Sequence, residues 1–266
     1  MLFIRPKNCH YCEHGFYGLA HAVQYAYSKG LWNITDLNAE QANKDPVNNA
    51  INAKDPLSIY GFGHGLEDRF TGDSEENIFT TSECSILFGR LIYLLSCLTG
   101  NLLGPEIIKQ GALGYVGYNI SWTWIADTEN GEFVYPDPYT DPYALCFWES
   151  ANEFWIAMVD GLEFHEALQA MIDRYNAWID YWFYDNPEDP FSQECIMWLA
   201  HDRDGLVALD NCSSYTDQST CESRGCQWIN NSCYSKLPQQ KGLATSIVPL
   251  IPIIALVGLA FIIMRK

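Results

Sequence analysis

Basic side chains are scarce in this chain of 266 residues: 15 Lys and Arg stand against 33 Asp and Glu, a formal charge of −18. Such a surface repels phosphate backbones, which sets nucleic-acid binding aside. Charged residues reach only 18%, while hydrophobic residues make up 48%, so bulk disorder is excluded and a large core is possible. No internal repeat and no low-complexity run is present, which excludes a repeat architecture. The opening Met1–Asn8 (MLFIRPKN) lacks the basic-then-apolar pattern of a signal peptide. Also missing is a second ligand pair for Cys9-His10-Tyr11-Cys12. With His14 that segment has metal-like spacing, but tetrahedral zinc usually takes two such pairs. A disulfide, a metal and unpaired thiols all remain open there.

Strands and helices alternate from the start. Leu2–Arg5 reads as a strand, Phe16–Lys29 as a helix stopped by Gly30, Trp32–Leu37 as a strand and Ala39–Ala53 as a helix. Leu57–Gly63 (LSIYGFG) and Leu91–Ser96 (LIYLLS) are apolar strands, the second apolar on both faces as a central parallel strand requires. A short helix over Gly104–Gln110 leads to a strand over Ala112–Tyr118. Beyond Asp141 the chain turns helical and aromatic over Tyr143–Val159, Phe164–Trp182 and Phe191–His201, with Leu206–Leu209 as a last strand. The pattern predicts a mostly parallel sheet with helices on both faces.

The other end differs. Asn211–Tyr234 carries Cys212, Cys221, Cys226 and Cys233 around Trp228. So small a segment builds no core and is expected to rely on two disulfides, with three pairings possible. It resembles a shortened plexin–semaphorin–integrin module, a rigid spacer. A linker over 235–243 leads to Ala244–Met264, 21 residues without a charge. At 1.5 Å per residue the run reaches about 31 Å, the length of a membrane helix. Arg265-Lys266 at its end favours a single-pass anchor with the basic end cytoplasmic and residues 1–240 outside. That placement conflicts with the missing signal peptide. Either the protein is tail-anchored and faces the cytoplasm, or, the preferred expectation, its start lies upstream. Sequons at Asn33, Asn119, Asn211 and Asn230 are compatible with an exterior face.

Chemistry concentrates at two strand ends. Gly61-Phe62-Gly63-His64-Gly65 holds a histidine between glycines, and Ser96-Cys97-Leu98-Thr99-Gly100 holds a cysteine before small, turn-forming residues. Open α/β sheets bind ligands at the carboxyl ends of their strands. A thiolate is a strong nucleophile, and an imidazole beside it can take its proton. Glu67, Asp68 and Asp73 follow the histidine as a solvated acidic loop, a rim for a basic substrate residue, or a calcium site. Trp122 and Trp124 read as packing or as pocket.

The run from Tyr60 to Tyr118, with YGFGHG, YLLSCLTG and QGALGYVGY, resembles the cysteine-peptidase clan CD of caspases, gingipains, legumains and separases, most of all the gingipain branch. The resemblance covers residues 1–210 and implies a three-layer α/β/α peptidase domain. It implies His64 as general acid/base, Cys97 as nucleophile, and the N–H groups of Gly65 and Cys97 as oxyanion hole. The substrate would be a peptide or protein, bound with help from Glu67, Asp68, Asp73, Asn119 and Trp122, with no cofactor beyond a possible calcium ion. The expectation is a membrane-anchored extracytoplasmic cysteine endopeptidase. The alternative is an inactive surface protein that keeps the fold for binding or adhesion.

Overall fold

Each apolar run expected as a strand of the main sheet becomes one. In chain order the elements are β1 (Leu2–Arg5), α1 (Cys12–Ser28), β2 (Thr35–Asn38), α2 (Lys44–Lys54), β3 (Ser58–Phe62), β4 (Gly65–Leu66), β5 (Arg69–Thr71), β6 (Asn77–Thr80), β7 (Leu91–Leu95), α3 (Leu103–Lys109), β8 (Gly114–Tyr118), β9 (Trp124–Ala126), β10 (Thr128–Glu129), β11 (Glu132–Phe133), α4 (Ala144–Val159), α5 (Phe164–Asp180), α6 (Ser192–Asp204) and β12 (Leu206–Asp210). This computed structural model describes residues 1–8, 11–31, 33–210 and 217–223, with short strands at 227–229, 232–234 and 262–264.

Six strands form one sheet in the order β12-β8-β7-β3-β1-β2. All neighbours run parallel except β12, which is antiparallel to β8. Successive side chains point to opposite faces. Leu2, Ile4, Ile59, Ile92 and Leu94 therefore pack with Val47 and Ile51 of α2 and Leu103 and Ile107 of α3. Phe3, Tyr60, Tyr93, Leu95 and Tyr118 meet α1, α4, α5 and α6 on the other face. The result is three layers, one face aliphatic and one aromatic.

The aromatic face carries hydroxyls that need partners in a dry core. Tyr60 and Tyr93 stack at 4.6 Å. Tyr93 donates to the Ala151 carbonyl at 2.9 Å, and the Tyr118 and Tyr175 hydroxyls lie 3.0 Å apart. Each such group left unpaired would cost about 1–3 kcal/mol. Gly18 lets α1 close on α4: a Cβ there would lie 2.3 Å from the Trp148 ring.

Several boundaries differ from expectation. The helix expected from Ala39 begins at Lys44, because Ala39 takes a left-handed conformation (φ 49°) and Ala39–Gln41 make only one tight turn. The helix expected to reach Trp182 ends at Asp180 and continues as a wider turn over Tyr181–Asp185. The small sheet β4-β5-β6 was not foreseen. Most of the expected membrane span over 244–264 lies outside the described residues. Its last part, Ile262–Met264, is a strand parallel to Trp124–Ala126 and not helical. No helix among the described residues is long and apolar enough to cross a membrane.

Candidate active site

β3 and β7 are adjacent, parallel and flush: Gly61 pairs with Leu94 and Phe62 with Leu95. His64 and Cys97 each follow two residues beyond that last pair, so the register alone delivers both to one edge. They line a single cleft of about 350 Å³ with Tyr11, Gly65, Leu66, Arg69, Thr71, Glu75, Asn77 and Leu98.

The histidine is placed by close backbone contacts. A Cβ on Gly63 would lie 2.2 Å from the Thr71 carbonyl oxygen, and one on Gly65 2.2 Å from the Cys97 carbonyl oxygen. Neither position accepts a side chain without rearrangement. The His64 carbonyl accepts from the Thr71 N–H at 2.9 Å and from its hydroxyl at 3.2 Å, which ties the residue to β5. Burial lowers the His64 pKa, opposed by the negative charge of Glu75.

The cysteine sits on a tight turn. Leu98 is left-handed (φ 61°), a costly conformation for a branched residue. Its N–H donates to the Ile120 carbonyl at 2.9 Å, and that of Gly100 to the Tyr118 carbonyl at 2.8 Å. Below the turn the Tyr115 hydroxyl donates to Thr99 Oγ1 at 2.8 Å. The Cys97 N–H makes no hydrogen bond to a backbone carbonyl among the described residues. Cys97 keeps part of its surface in the cleft. Its thiol points to the Trp122 carbonyl at 3.9 Å. Burial pushes its pKa up to about 11, against the opposing hydrogen bond to Trp122. Both shifts favour the neutral forms, thiol and imidazole.

None of the five residues expected to touch substrate is among those that line the cleft. Glu67 uses its carbonyl to cap α3, accepting from Leu102 and Leu103. Asp68 pairs with Arg69 at 2.8 Å. Asp73 is buried and accepts from the N–H groups of Lys7 and Asn8 and from the Asn8 amide, all at 2.8 Å. Its three donors make it a loop clamp, not a specificity acid. The Asn119 N–H donates to the Gly205 carbonyl, outside the cleft lining. Trp122 is 2% exposed and donates from Nε1 to the Tyr175 hydroxyl, so its ring is packing.

The carboxylate that does line the cleft is Glu75, on a left-handed pair with Ser74 (φ 61° and 56°). The Asp73 clamp and the turn bond from the Gly72 N–H to the Glu76 carbonyl hold that pair in place. Sequence reasoning passed over Glu75 because the β5–β6 hairpin that carries it was not recognised. The run Asp73-Ser74-Glu75-Glu76 between two apolar triplets was the available signal.

Cys12 and Cys221 are disulfide-bonded. A disulfide at Cys12 removes the metal reading of that segment. His14 agrees: Nε2 donates to the Tyr135 carbonyl at 2.7 Å and Nδ1 accepts from Trp124 at 3.0 Å. Cys212 and Cys226 lie outside the described residues, and so does the test of the two expected disulfides. No cluster of His, Cys, Asp or Glu among the described residues is arranged to hold a metal.

No protein-family model and no curated protein matches this sequence. Among solved structures, the Arg-specific cysteine proteinase gingipain R is similar at 12% identity and a TM-score of 0.41, over 65% of this chain and 41% of that one. The complex of the pro- and mature domains of RgpB from Porphyromonas gingivalis is similar at 12% identity and a TM-score of 0.39, over 59% and 38%. The chain thus spans about two fifths of the length of the structures it resembles.

Proposed function

We propose that residues 1–210 form a cysteine peptidase domain that hydrolyses peptide bonds with His64 and Cys97. One observation carries this reading: the imidazole and the thiol stand at the carboxyl ends of adjacent, flush parallel strands and line one cleft. A neutral dyad sets the order of events. As the Cys97 sulfur attacks the scissile carbonyl carbon, its proton passes to His64. The oxygen that becomes negative meets the N–H groups of Cys97 and Gly65. His64 then protonates the leaving amine, and water, deprotonated by the same ring, releases the acyl group and restores the thiol.

The cleft suggests a substrate class. Arg69 is paired with Asp68, so Glu75 is the unpaired charge of the lining, beside Leu66 and Leu98. That setting fits a peptide with a basic residue near the scissile bond. An electrophilic peptide probe tests the core of the proposal: it labels Cys97 in the wild type and far more slowly in His64→Ala. A fluorogenic panel tests the substrate class. Arg or Lys substrates turn over at least about tenfold faster than Asp or Leu ones, or about 1.4 kcal/mol in the barrier.

A specific observation favours a second reading. A thiol held protonated and directed at the Trp122 carbonyl is also what an inactive binding protein on this fold would keep. Absence of probe labelling in folded protein decides for that alternative.

A further inference from the structure

Three carboxyl groups are buried among the described residues, and they are not alike. Asp73 takes three donors, from Lys7 and Asn8. Asp141 also takes three, the N–H groups of Asp127 and Tyr143 at 2.8 Å and of Ala144 at 3.0 Å. Asp202, near the end of α6 and 0% exposed, takes one: the Thr123 N–H reaches Oδ1 at 3.1 Å. Its Oδ2 has no partner, and the neighbouring Arg203 pairs with Asp204 and Asn176 instead. A buried carboxyl with one donor is costly unless it stays neutral. Burial does push the Asp202 pKa well above the usual carboxylate range. The one bond it makes is where its part in the molecule is to be sought.

That bond ends on residues 119–123, which leave β8 and are held from two sides. On the α6 side, the Gly205 carbonyl accepts from the Asn119 N–H at 3.0 Å, and His201 donates from Nε2 to the Ser121 carbonyl at 3.1 Å. Asp202 takes Thr123. Gly205 permits the close approach, since a Cβ there would lie 2.0 Å from the Ile120 side chain. On the other side stands the turn of the nucleophile. Asn101 donates to the Asn119 carbonyl at 3.3 Å, the Leu98 N–H to the Ile120 carbonyl at 2.9 Å, and the Cys97 thiol to the Trp122 carbonyl at 3.9 Å.

We propose that Asp202 is a positioning residue for Cys97, acting through the single peptide unit that joins Trp122 to Thr123. The N–H of that unit goes to Asp202 and its C=O faces the thiol. A trans peptide is planar, and its N–H and C=O point in opposite directions, so fixing one aims the other. A bonded N–H also polarises its own carbonyl and makes it the better acceptor. The assignment rests on Cys97 being the nucleophile of the reaction proposed above. Asp202 touches neither substrate nor thiol and sets only where the sulfur waits.

The test reads the thiol directly and needs no peptidase activity. Folded full-length protein is treated with iodoacetamide for timed intervals and digested with trypsin. Alkylation is followed on peptide 91–109, in which Cys97 is the only cysteine. Asp202→Ala frees the peptide unit, and the alkylation rate should rise at least about threefold. Asp202→Asn keeps an oxygen acceptor for Thr123 and should stay within about twofold of the wild type. Ile51→Ala, a core deletion in α2 on the opposite face of the sheet, controls for lost stability. An Asp202→Ala rate no higher than that of this control overturns the proposal. So does an Asp202→Asn rate raised as far as that of Asp202→Ala. Where Asp202→Ala does not fold, His201→Ala removes the bond to Ser121 and should raise the rate at least about twofold. No rise there overturns the part assigned to residues 119–123. The peptide probe separates this inference from the reaction it rests on. Thiol reactivity that follows Asp202 in a protein the probe never labels breaks the peptidase reading and leaves the hold on the thiol standing. A labelled protein whose thiol is indifferent to Asp202 does the reverse.

Discussion

His64 stands between two glycines whose backbones are closely packed against the Thr71 and Cys97 carbonyls, and no hydrogen bond contributes to its ionisation. Cys97, across the same cleft, is gripped: a turn tied to Ile120 and Tyr118 holds its backbone, and the Trp122 carbonyl holds its thiol. On the His64 side only the backbone is tied, through the Thr71 N–H and hydroxyl, whereas on the Cys97 side the thiol is held as well. Proton transfer needs a ring that can face first the thiol and then the leaving amine, whereas attack on a carbonyl needs a sulfur at one defined point. In the proposed reaction this difference would suit His64 to proton transfer and Cys97 to attack.

Removing either group gives the largest expected effects. Cys97→Ala abolishes hydrolysis, a loss of at least about 10³-fold. His64→Ala lowers it by about 10²- to 10⁴-fold, the range for a lost general acid/base. Both variants should fold, which circular dichroism checks. If His64→Ala labels with the peptide probe as fast as the wild type, the two sides of the cleft are not coupled, and the comparison fails.

A histidine away from the cleft sharpens the point. His14 is 0% exposed, with both ring nitrogens engaged, and burial lowers its pKa to about 4. Protonation would set a second N–H against that of Trp124. Its folded-state pKa lies below the unfolded value of about 6.5, so the unfolded chain binds the proton more readily. Stability is therefore lost as pH falls from about 6.5 to about 4, by about 3 kcal/mol in all. Urea titrations at pH 7 and pH 4 on wild type and His14→Gln measure it. The variant should lose this share of the pH dependence. An unchanged slope would mean that other groups carry it.

What the sequence made legible follows from periodicity and from flush strand ends. LSIYGFG and LIYLLS read as buried strands of a parallel sheet, and a site at the carboxyl ends of such strands put the residues just past them at one edge. Hairpin register is another matter. β4, β5 and β6 are two to four residues long and pair irregularly between Phe70 and Thr71, so no clear alternation marks them. Hence Asp73 looked like a rim acid when it is a clamp, and Glu75 was missed.

The grip on the thiol can be loosened from behind. Tyr175 accepts from Trp122 Nε1 at 3.3 Å and shares a hydrogen bond with the Tyr118 hydroxyl at 3.0 Å. Tyr175→Phe keeps the ring and leaves the indole N–H unpaired in a dry core, at about 1–3 kcal/mol of stability. Thermal unfolding measures that cost. If the Trp122 carbonyl positions Cys97, iodoacetamide should alkylate Cys97 faster in this variant. An unchanged alkylation rate at reduced stability would confine Tyr175 to packing.

The smallest effect concerns the His64 side. Glu75 lines the cleft and its charge raises the His64 pKa against the lowering caused by burial. Glu75→Gln removes the charge and keeps the shape, so the His64 pKa falls further. His64 works as a base only when neutral, and the acid limb of kcat/KM reports its pKa in the free enzyme. That limb should therefore move to lower pH in the variant, with activity retained under more acidic conditions. Because the carboxylate is exposed, water and ions screen it, and the plateau rate should change by no more than about fivefold. Salt supplies an internal control. Raising ionic strength to about 1 M contracts the Debye length to about 3 Å. It should shift the wild-type limb in the same direction and leave the Glu75→Gln limb in place. A limb that moves equally with salt in both proteins would trace the field to the −18 charge of the chain and not to Glu75. A limb that moves with salt in neither would mean that burial alone sets His64, and the acidic turn would be left with substrate binding as its only part in the cleft.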